Sequence, residues 1–159
     1  MSVTDHGSVR TEPRLDPRGV RFSAALTSVV LALVLVSGSG LLVTAQAVVF
    51  AVASFAGMRF APYEVLYRYL FAPRLGPPAE REDPAPVRFS QTVGLVVTAV
   101  AAVGYLSGLT VLGVVATAAA LAAAFLNAAF GFCPGCEMYG PLARLRAGTA
   151  ATEVRSTQP

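Results

Sequence analysis

Two cysteines are the residues in this 159-residue chain with the clearest capacity for chemistry, and the chain has no others. Cys133 and Cys136 enclose Pro134 and Gly135, a C-x-x-C spacing that lets two sulfurs reach one another across a turn. The thiolate is the reactive form of cysteine. A proline suits the first position of a helix, so a helix that begins at Pro134 would place Cys133 at its N-cap. The positive end of the helix dipole lowers a thiol pKa there.

Two polar residues near the pair are expected to support it. Glu137 follows Cys136 directly, and its carboxylate opposes ionisation of a neighbouring thiol, which basic residues further along the chain offset. Asn127 lies less than two helical turns before Cys133, inside an apolar segment. A side-chain amide in that position usually forms a hydrogen bond to a neighbouring helix.

Three interpretations of the cysteine pair remain open. The pair is a redox-cycling dithiol, or half of a metal site completed by a second subunit or by Glu137, or two inert cysteines at a helix end. Zinc and copper(I) usually require more ligands than two thiolates, so we predict no metal. The sequence identifies no cofactor. A lone C-x-x-C without a βαβ pattern is not typical of a thioredoxin fold.

The composition shows what kind of structure must position these residues. Hydrophobic residues make up 55% of the chain and charged residues 13%, about half of the usual quarter. Two segments contain no Asp, Glu, Arg or Lys: 37 residues at 22–58 and 48 residues at 89–136. A soluble fold needs charge on its surface at short intervals. The composition therefore excludes an ordinary soluble domain, a disordered chain and a disulfide-rich secreted scaffold.

Each uncharged segment is too long for one crossing, since about 20 helical residues span the hydrocarbon core. Turn-like clusters of Gly and Ser at 37–40 and 104–108 divide the two segments. We predict an all-α integral membrane protein with four transmembrane helices, arranged as two hairpins, at about 22–39, 41–58, 89–107 and 109–132. The last span is rich in Ala, which favours packing against neighbouring helices over contact with lipid.

The orientation follows from the arginines, since the chain has no Lys. All twelve lie outside the two hairpin turns, before the first span, between the hairpins or after the last span. The positive-inside rule therefore predicts that both termini are cytoplasmic, in a bacterial plasma membrane. The net charge of +3 reflects this bias and does not indicate a nucleic-acid partner. The segment around Ala45-Gln46-Ala47 resembles a signal-peptide cleavage site, but the apolar run continues beyond it, so we expect no cleavage.

An internal repeat links the two hairpins. The sequence DPRGVRFS at 16–23 recurs as DPAPVRFS at 83–90, with six of eight positions identical at an offset of 67. Two crossings per unit return the second copy to the same side, which predicts a parallel tandem repeat. A shorter echo at an offset of 73 aligns Glu64 with Glu137 and Tyr63 with Cys136.

An amphipathic pattern follows the first hairpin. Apolar and aromatic side chains recur at helical spacing between Pro62 and Pro73, while Glu64 and Arg68 lie off that stripe. We predict an interfacial helix at about 62–72, anchored at head-group level by Tyr63 and Tyr67. The membrane domain is expected to cover 16–147, with a proline-rich linker at 76–86 and disordered tails at 1–15 and 148–159.

A set of motifs is typical of one family: Asp16-Pro17-Arg18-Gly19 before a leucine-rich hairpin, Pro73-Arg74-Leu75-Gly76 with Glu82-Asp83-Pro84, and Phe132-Cys133-x-x-Cys136-Glu137. In these motifs the chain resembles a family of small bacterial membrane proteins, common in actinobacteria and catalogued as a domain of unknown function. The resemblance covers roughly 14–147. It implies four membrane helices, and it favours thiol chemistry with a thioredoxin-like or sulfurtransferase-like partner.

A looser likeness is to four-helix, quinone-linked disulfide oxidoreductases, including the vitamin K epoxide reductase type. This likeness implies a second cysteine pair that faces the outside of the cell. This chain has one pair, at the cytoplasmic end of its last span, and these two departures argue against a quinone-linked mechanism.

Two functional hypotheses result. The first is thiol-disulfide or sulfur-transfer chemistry at Cys133 and Cys136, with a soluble partner and with a homo-oligomer as a further expected partner. The second is a non-catalytic membrane subunit or small-molecule permease whose cysteines are incidental.

Overall fold

The structure, a computed structural model, describes residues 15–78 and 82–156, with side chains described through residue 145. In these ranges the chain is helical, apart from turns and a one-residue antiparallel bridge between Leu15 and Glu82. A 3₁₀ turn, Met58–Phe60, lies between the second and third helices. The α-helices are α1 (Pro17–Ser37), α2 (Gly40–Phe55), α3 (Pro62–Leu70), α4 (Ala72–Leu75), α5 (Pro84–Leu106), α6 (Thr110–Phe130) and α7 (Pro134–Ser156).

Three of these helices, α1, α5 and α6, are long and apolar enough to cross a membrane. The all-helical membrane class predicted from composition is therefore confirmed. The fourth apolar helix, α2, has 16 residues, fewer than the roughly 20 that span a bilayer core. The predicted hairpin turns lie where expected. Gly38 ends α1 with a positive φ of 64°, and Gly108, with a φ of 82°, lies between α5 and α6.

The starts of α1 and α5 are built in the same way. Asp16 accepts a hydrogen bond from the backbone N–H of Arg18 at 2.9 Å, and Asp83 accepts one from Ala85 at 3.0 Å. A proline follows each capping aspartate and fits the first helical turn. Because Asp83 caps it, α5 begins five residues before the predicted 89 and takes in the end of the predicted 76–86 linker.

The hairpins are interleaved. Helix α1 packs mainly against α6, and α2 packs mainly against α5. The arginines of the repeated motif connect the same pairs of helices. Arg21 donates from Nη2 to the carbonyls of Ala128 and Ala129, both at 3.3 Å, and Arg88 donates from Nη2 to the carbonyl of Ser54 at 2.9 Å. Each of these arginines therefore binds the final turn of a helix in the other hairpin.

Helix α6 packs along one face against α1 and α5. Its fully buried residues, Gly113, Ala116 and Thr117, lie in its first half, and its second half has a half-buried face at Ala120, Ala123, Ala124, Asn127 and Ala128. These contacts agree with the prediction that the Ala-rich helix packs against its neighbours. The other face is exposed, so that α6 is less buried than α1 and α5. A Cβ at Gly104 would meet the backbone of Gly113, so α5 and α6 approach one another closely at this point.

The segments outside the long helices also differ from expectation. Glu64, predicted to lie off the buried stripe, is 5% exposed, whereas Leu66 on the stripe is exposed. Helix α3 turns this face inward because it packs on the start of α1. Helix α7 continues to Ser156, inside the segment 148–159 for which the sequence predicts disorder. Residues 1–14 of the predicted tail at 1–15 lie outside the described residues.

Candidate functional site

The cysteine pair lies at the junction of α6 and α7. Gly131 ends α6 with a φ of 68°, and α7 begins at Pro134. The carbonyl of Cys133 accepts the first α7 hydrogen bond, from the N–H of Glu137 at 3.1 Å. The sulfur of Cys133 accepts from the N–H of Cys136 at 3.3 Å. Cys133 therefore occupies the N-cap of α7, as its place before Pro134 predicts, with its sulfur acting as the capping group.

Glycine at position 135 allows this turn to lie directly on α5. A Cβ atom at Gly135 would approach Cβ of Ser90 to 2.7 Å and its Cα to 2.9 Å. These distances are shorter than any ordinary contact, and a backbone carbon cannot move aside as a side-chain end can. Gly135 is therefore the residue that brings the cysteines against Ser90 of the second motif copy.

The two thiols have opposite electrostatic surroundings. A hydrogen bond from the Cys136 thiol lowers the pKa of Cys133 below the ordinary thiol value. Partial burial opposes this shift, while hydrogen bonds from Ser90 and from the backbone N–H groups of Cys136 and Gly135 reinforce it. The same sulfur–sulfur hydrogen bond, together with burial and the charge on Cys133, raises the pKa of Cys136. The arrangement therefore favours a thiolate at Cys133 and a protonated thiol at Cys136.

Ser90 has one hydroxyl proton to share among several acceptors. Its Oγ donates to the carbonyl of Val87 at 2.9 Å. Rotation about the Cβ–Oγ bond can direct that proton to a cysteine sulfur instead, since both cysteines lie within its hydrogen-bonding reach. The Ser90 hydroxyl can therefore donate a hydrogen bond to whichever of the two sulfurs is ionised.

The thiols differ in what surrounds them as well. Both are half-buried and unbridged. Cys136 packs against a cluster of buried residues from α1, α2, α5 and the intervening turn: Val20, Ala53, Met58, Ala61 and Val87. Cys133 instead lines a cavity of about 170 Å³ between the four long apolar helices. Four members of that cluster, Val20, Ala53, Met58 and Ala61, line the cavity as well, so the two sulfurs differ in that Cys133 itself borders open volume.

The residues predicted to support the pair fall in different places. Asn127 lines the same cavity as Cys133. Glu137 is exposed, and the contact it makes with the pair is the hydrogen bond from its backbone N–H to Cys133. Ser90 was not predicted from the sequence as a site residue. Its signal was present in the repeated motif, where it stands at the position of Ser23.

The two predicted anchoring tyrosines use their hydroxyls within the protein. Tyr63 donates to Oε1 of Gln46 at 2.7 Å, and Gln46 donates through Nε2 to Thr27 at 3.4 Å. Tyr67, which is 3% exposed, donates to Asp16 at 3.2 Å. Both tyrosines therefore tie α3 to the bundle, and burial raises the pKa of each phenol.

Glu64 is a second buried titratable group, remote from the cysteines in sequence. Burial raises its pKa to about 7, the negative charge of Asp16 adds to the effect, and Arg68 opposes it. Its Oε2 atom has no hydrogen-bond partner. Its carboxylate lies over Gly19, where a Cβ atom would meet Oε2 at 2.5 Å. A protonated carboxyl suits this site better than a charged one.

The described part of the chain contains no group of three or more His, Cys, Asp or Glu residues that could hold a metal ion. Cys133 and Cys136 supply two sulfur ligands, and Glu137 points to solvent. Within the described residues, the geometry therefore offers two thiolate ligands and no third.

These features define an integral membrane protein of helices with a thiol pair beside its bundle. Comparison with known families identifies it further. The chain belongs to the family described as Domain of unknown function (DUF4395), which matches residues 15–144. No curated protein and no solved structure matches the chain. The family match covers α1 to α6, the start of α7 and both cysteines.

Proposed function

We propose that this protein is a four-span membrane protein of the bacterial plasma membrane whose Cys133–Cys136 dithiol exchanges electrons or sulfur with a soluble thioredoxin-like or sulfurtransferase-like partner. The proposal rests on the sulfur of Cys133, which caps the start of α7 by accepting a hydrogen bond from the backbone N–H of Cys136. A thiolate held at a helix N-terminus, with a protonated thiol three residues away, is the arrangement that disulfide exchange requires.

In the exchange step, the Cys133 thiolate attacks one sulfur of a partner disulfide. The partner's other sulfur leaves as a thiolate, and a mixed disulfide with Cys133 forms. Cys136 then loses its proton and attacks Cys133, which releases the second partner thiolate. Two electrons pass to the partner, and the membrane protein becomes a disulfide. The reverse sequence regenerates the dithiol, and the relative reduction potentials set the direction.

Sulfur transfer uses the same two thiols. The Cys133 thiolate takes the outer sulfur of a partner persulfide, and the partner's thiolate leaves. Attack by Cys136 on Cys133 then releases that sulfur as hydrosulfide and closes the disulfide. Both chemistries assign attack to Cys133 and resolution to Cys136.

The paired geometry of the motif copies supports a parallel repeat. Leu15 and Glu82, which stand at equivalent positions, exchange backbone hydrogen bonds of 3.0 and 2.9 Å. Such reciprocal bonds between equivalent residues are expected near a two-fold axis. The exchange of Arg21 and Arg88 between the hairpins has the same symmetry. An axis along the membrane normal would place both motif copies, and the thiol pair, at the cytoplasmic face.

A fourth span at α2 is consistent with this symmetry. Sixteen residues extend about 24 Å at 1.5 Å per residue, short of a core of about 30 Å. A short span is accommodated by local thinning of the bilayer. Four crossings return every arginine of the chain to one side, whereas three would divide them.

The test is a pH titration of alkylation in the purified wild-type protein, with the two cysteines resolved by mass spectrometry of the labelled peptides, because either Cys→Ser variant removes the sulfur–sulfur hydrogen bond that shifts both pKa values. We expect Cys133 to alkylate with a midpoint below the ~8.5 of a free thiol, and Cys136 above it. Cys136→Ser should also trap a mixed disulfide with a partner in cells, whereas Cys133→Ser should not. Ordinary midpoints at both thiols, with no trapped adduct, would contradict the proposal.

Topology is tested separately in intact cells. A membrane-impermeant thiol reagent should label Cys133 only after lysis if the pair is cytoplasmic. A cysteine placed at Ser39 in the first hairpin turn, in a Cys133→Ser, Cys136→Ser background, should be labelled before lysis. The opposite pattern would reverse the proposed orientation.

A further inference from the structure

The cavity that Cys133 lines is apolar along most of its wall. It extends between α1, α2, α5 and α6 and is lined along α6 by a row of small side chains, Ala119, Ala120, Ala123 and Ala124. Protein interiors normally close such gaps. Here the alanines, which were expected to permit helix contact, leave volume open beside the sulfur.

One fully buried hydroxyl in the cavity wall has no partner. Ser23 is 8% exposed, lines the cavity, and its Oγ makes no hydrogen bond. Ser54 of α2, outside the cavity, is unpartnered as well. Seven other hydroxyls along the long apolar helices donate to the carbonyl four residues earlier, which is the usual way to satisfy them in a helix. These are Ser28, Ser37, Thr44, Thr92, Thr98, Ser107 and Thr117. The hydroxyl of Ser23 is therefore a buried donor that a ligand acceptor could satisfy.

One residue of the cavity wall is exposed at the surface of the helix bundle. Ala119, near the middle of α6, is the exposed member of the described residues that line it. The middle of a spanning helix lies at the depth of the lipid tails, so entry at this point is from the hydrocarbon and not from water.

From these observations we propose that the cavity binds a molecule dissolved in the bilayer that has an apolar, ring-sized body and a carbonyl-type acceptor for Ser23, and that it presents this molecule to Cys133. The volume agrees with this class. An apolar cavity of about 150 Å³ admits a benzene molecule, and this one measures about 170 Å³. Phe50 adds an aromatic ring to the wall, packed so closely on α5 that a Cβ at Gly94 would approach it to 2.9 Å.

The inference rests on the proposed function in one respect: the thiol that borders the cavity is the one assigned to attack in the exchange. Cys133 lines the cavity, while Cys136, which does not line it, packs against the cluster around Met58. A ligand in the cavity therefore lies beside the attacking thiol.

Binding is tested directly with two fluorinated probes of similar size. Fluorine NMR in detergent micelles measures the affinity of 4-fluoroacetophenone, which has a carbonyl, and of 1-ethyl-4-fluorobenzene, which lacks one. We expect saturable binding of both beyond partition into empty micelles, with the ketone bound about fivefold more tightly because it accepts a hydrogen bond from Ser23.

Two pairs of variants locate the site. Ala123→Leu fills the cavity and should weaken binding of both probes at least tenfold. Ala122→Leu, on an exposed position of the same helix outside the cavity, should leave binding unchanged. Ser23→Ala should remove only the preference for the ketone, whereas Ser28→Ala, whose hydroxyl is bonded to Ala24, should keep it.

The outcomes separate this inference from the proposed function. Probe occupancy should slow alkylation of Cys133 by a water-soluble reagent and leave that of Cys136 unaffected. If neither probe binds saturably, or if Ala122→Leu and Ala123→Leu behave alike, the cavity inference is wrong even where the thiols still exchange with a soluble disulfide. If the probes bind as expected but both thiols titrate ordinarily, the ligand site stands and the exchange chemistry fails.

Discussion

The turns that follow α2 and α6 both lead into a helix that begins with a proline, but they differ in length and in the residue before that proline. The first contains the 3₁₀ turn Met58–Phe60, whereas the second comprises only residues 131–133. Helix α3 begins at Pro62 and α7 at Pro134, an offset of 72, and the aromatic contacts agree, since Phe22 lies 5.8 Å from Tyr67 and Phe89 lies 5.8 Å from Tyr139. At this offset Glu64 aligns with Cys136 and Ala61 with Cys133, one residue from the alignment at 73 predicted from the short sequence echo.

The two junctions differ most at the position before each helix. Glu64 and Cys136 both stand third in their helices and both favour the neutral form, since burial raises the pKa of Glu64 and a hydrogen bond with Cys133, together with burial, raises that of Cys136. Ala61 provides no side-chain cap, whereas the sulfur of Cys133 accepts a backbone N–H. The proposed exchange chemistry therefore depends on a residue that the first junction lacks.

The largest effect is expected at the glycines that allow each turn to approach its helix. A Cβ at Gly135 meets the backbone of Ser90, while a Cβ at Gly19 meets only the flexible end of Glu64. We expect Gly135→Ala to lower the free energy of unfolding by about 3 kcal/mol and Gly19→Ala by about 1 kcal/mol. Unfolding in mixed micelles measures both.

The control for the glycine comparison is Gly140→Ala, because nothing lies within 4 Å of a Cβ at that position. It should be neutral or slightly stabilising, since alanine favours a helix. Gly135→Ala should also raise the alkylation midpoint of Cys133 by moving it from Ser90. Equal losses at Gly19 and Gly135 would show that the two contacts do not differ as the geometry indicates.

The next effect concerns pH and belongs to the first turn. The pKa of Glu64 is raised in the folded protein to about 7, so the folded state favours the protonated carboxyl. Stability from this group is present below the unfolded pKa and is lost as pH rises through the folded one. We expect this carboxyl to lower the free energy of unfolding by about 2 kcal/mol between pH 5 and pH 8, measured in a Cys133→Ser background that removes the opposing contribution of the ionised thiol. Glu64→Gln should remove this slope.

Neighbouring groups provide the check on that assignment. Asp16 raises the pKa of Glu64 and Arg68 lowers it, so Arg68→Met should steepen the pH dependence. Cys133→Ser should make the fall in stability larger, because the lowered pKa of that thiol stabilises the folded protein as pH rises and so opposes the effect of Glu64. A Glu64→Gln variant that keeps the wild-type slope would place the titrating group elsewhere.

Much of this fold is readable from local sequence. Uncharged length gives the helices, and Gly with Ser gives the hairpin turns. Pro134 gives the N-cap of α7, and with it the position of Cys133. The start of α5 was missed because the prolines around Asp83 resemble a linker, although an aspartate followed by a proline also begins a helix.

The rest depends on contacts between distant segments. The packing of α1 on α6 and of α2 on α5 depends on how side-chain surfaces fit together, which composition does not encode. Ser90 reaches the cysteines only because α7 folds back on α5, and Ser23 becomes a cavity residue only because α6 leaves volume beside α1. Repetition was the one sequence signal for both serines, since it gave them equivalent positions.

The smallest expected effect separates the two arginines of the repeat. Arg88 is half-buried and donates to Ser54 at 2.9 Å, whereas Arg21 is exposed and makes two bonds of 3.3 Å. Shorter bonds in a less solvated place contribute more, so Arg88→Met should cost about 1 kcal/mol and Arg21→Met about 0.5 kcal/mol or less. Thermal midpoints in one detergent measure the difference.

The control is Arg59→Met, since the guanidinium of Arg59 lies over the Phe60 ring within its own turn. If Arg88→Met costs no more than that control, the exchanged arginines do not help to hold the two hairpins together, and the comparison between the halves loses its energetic support.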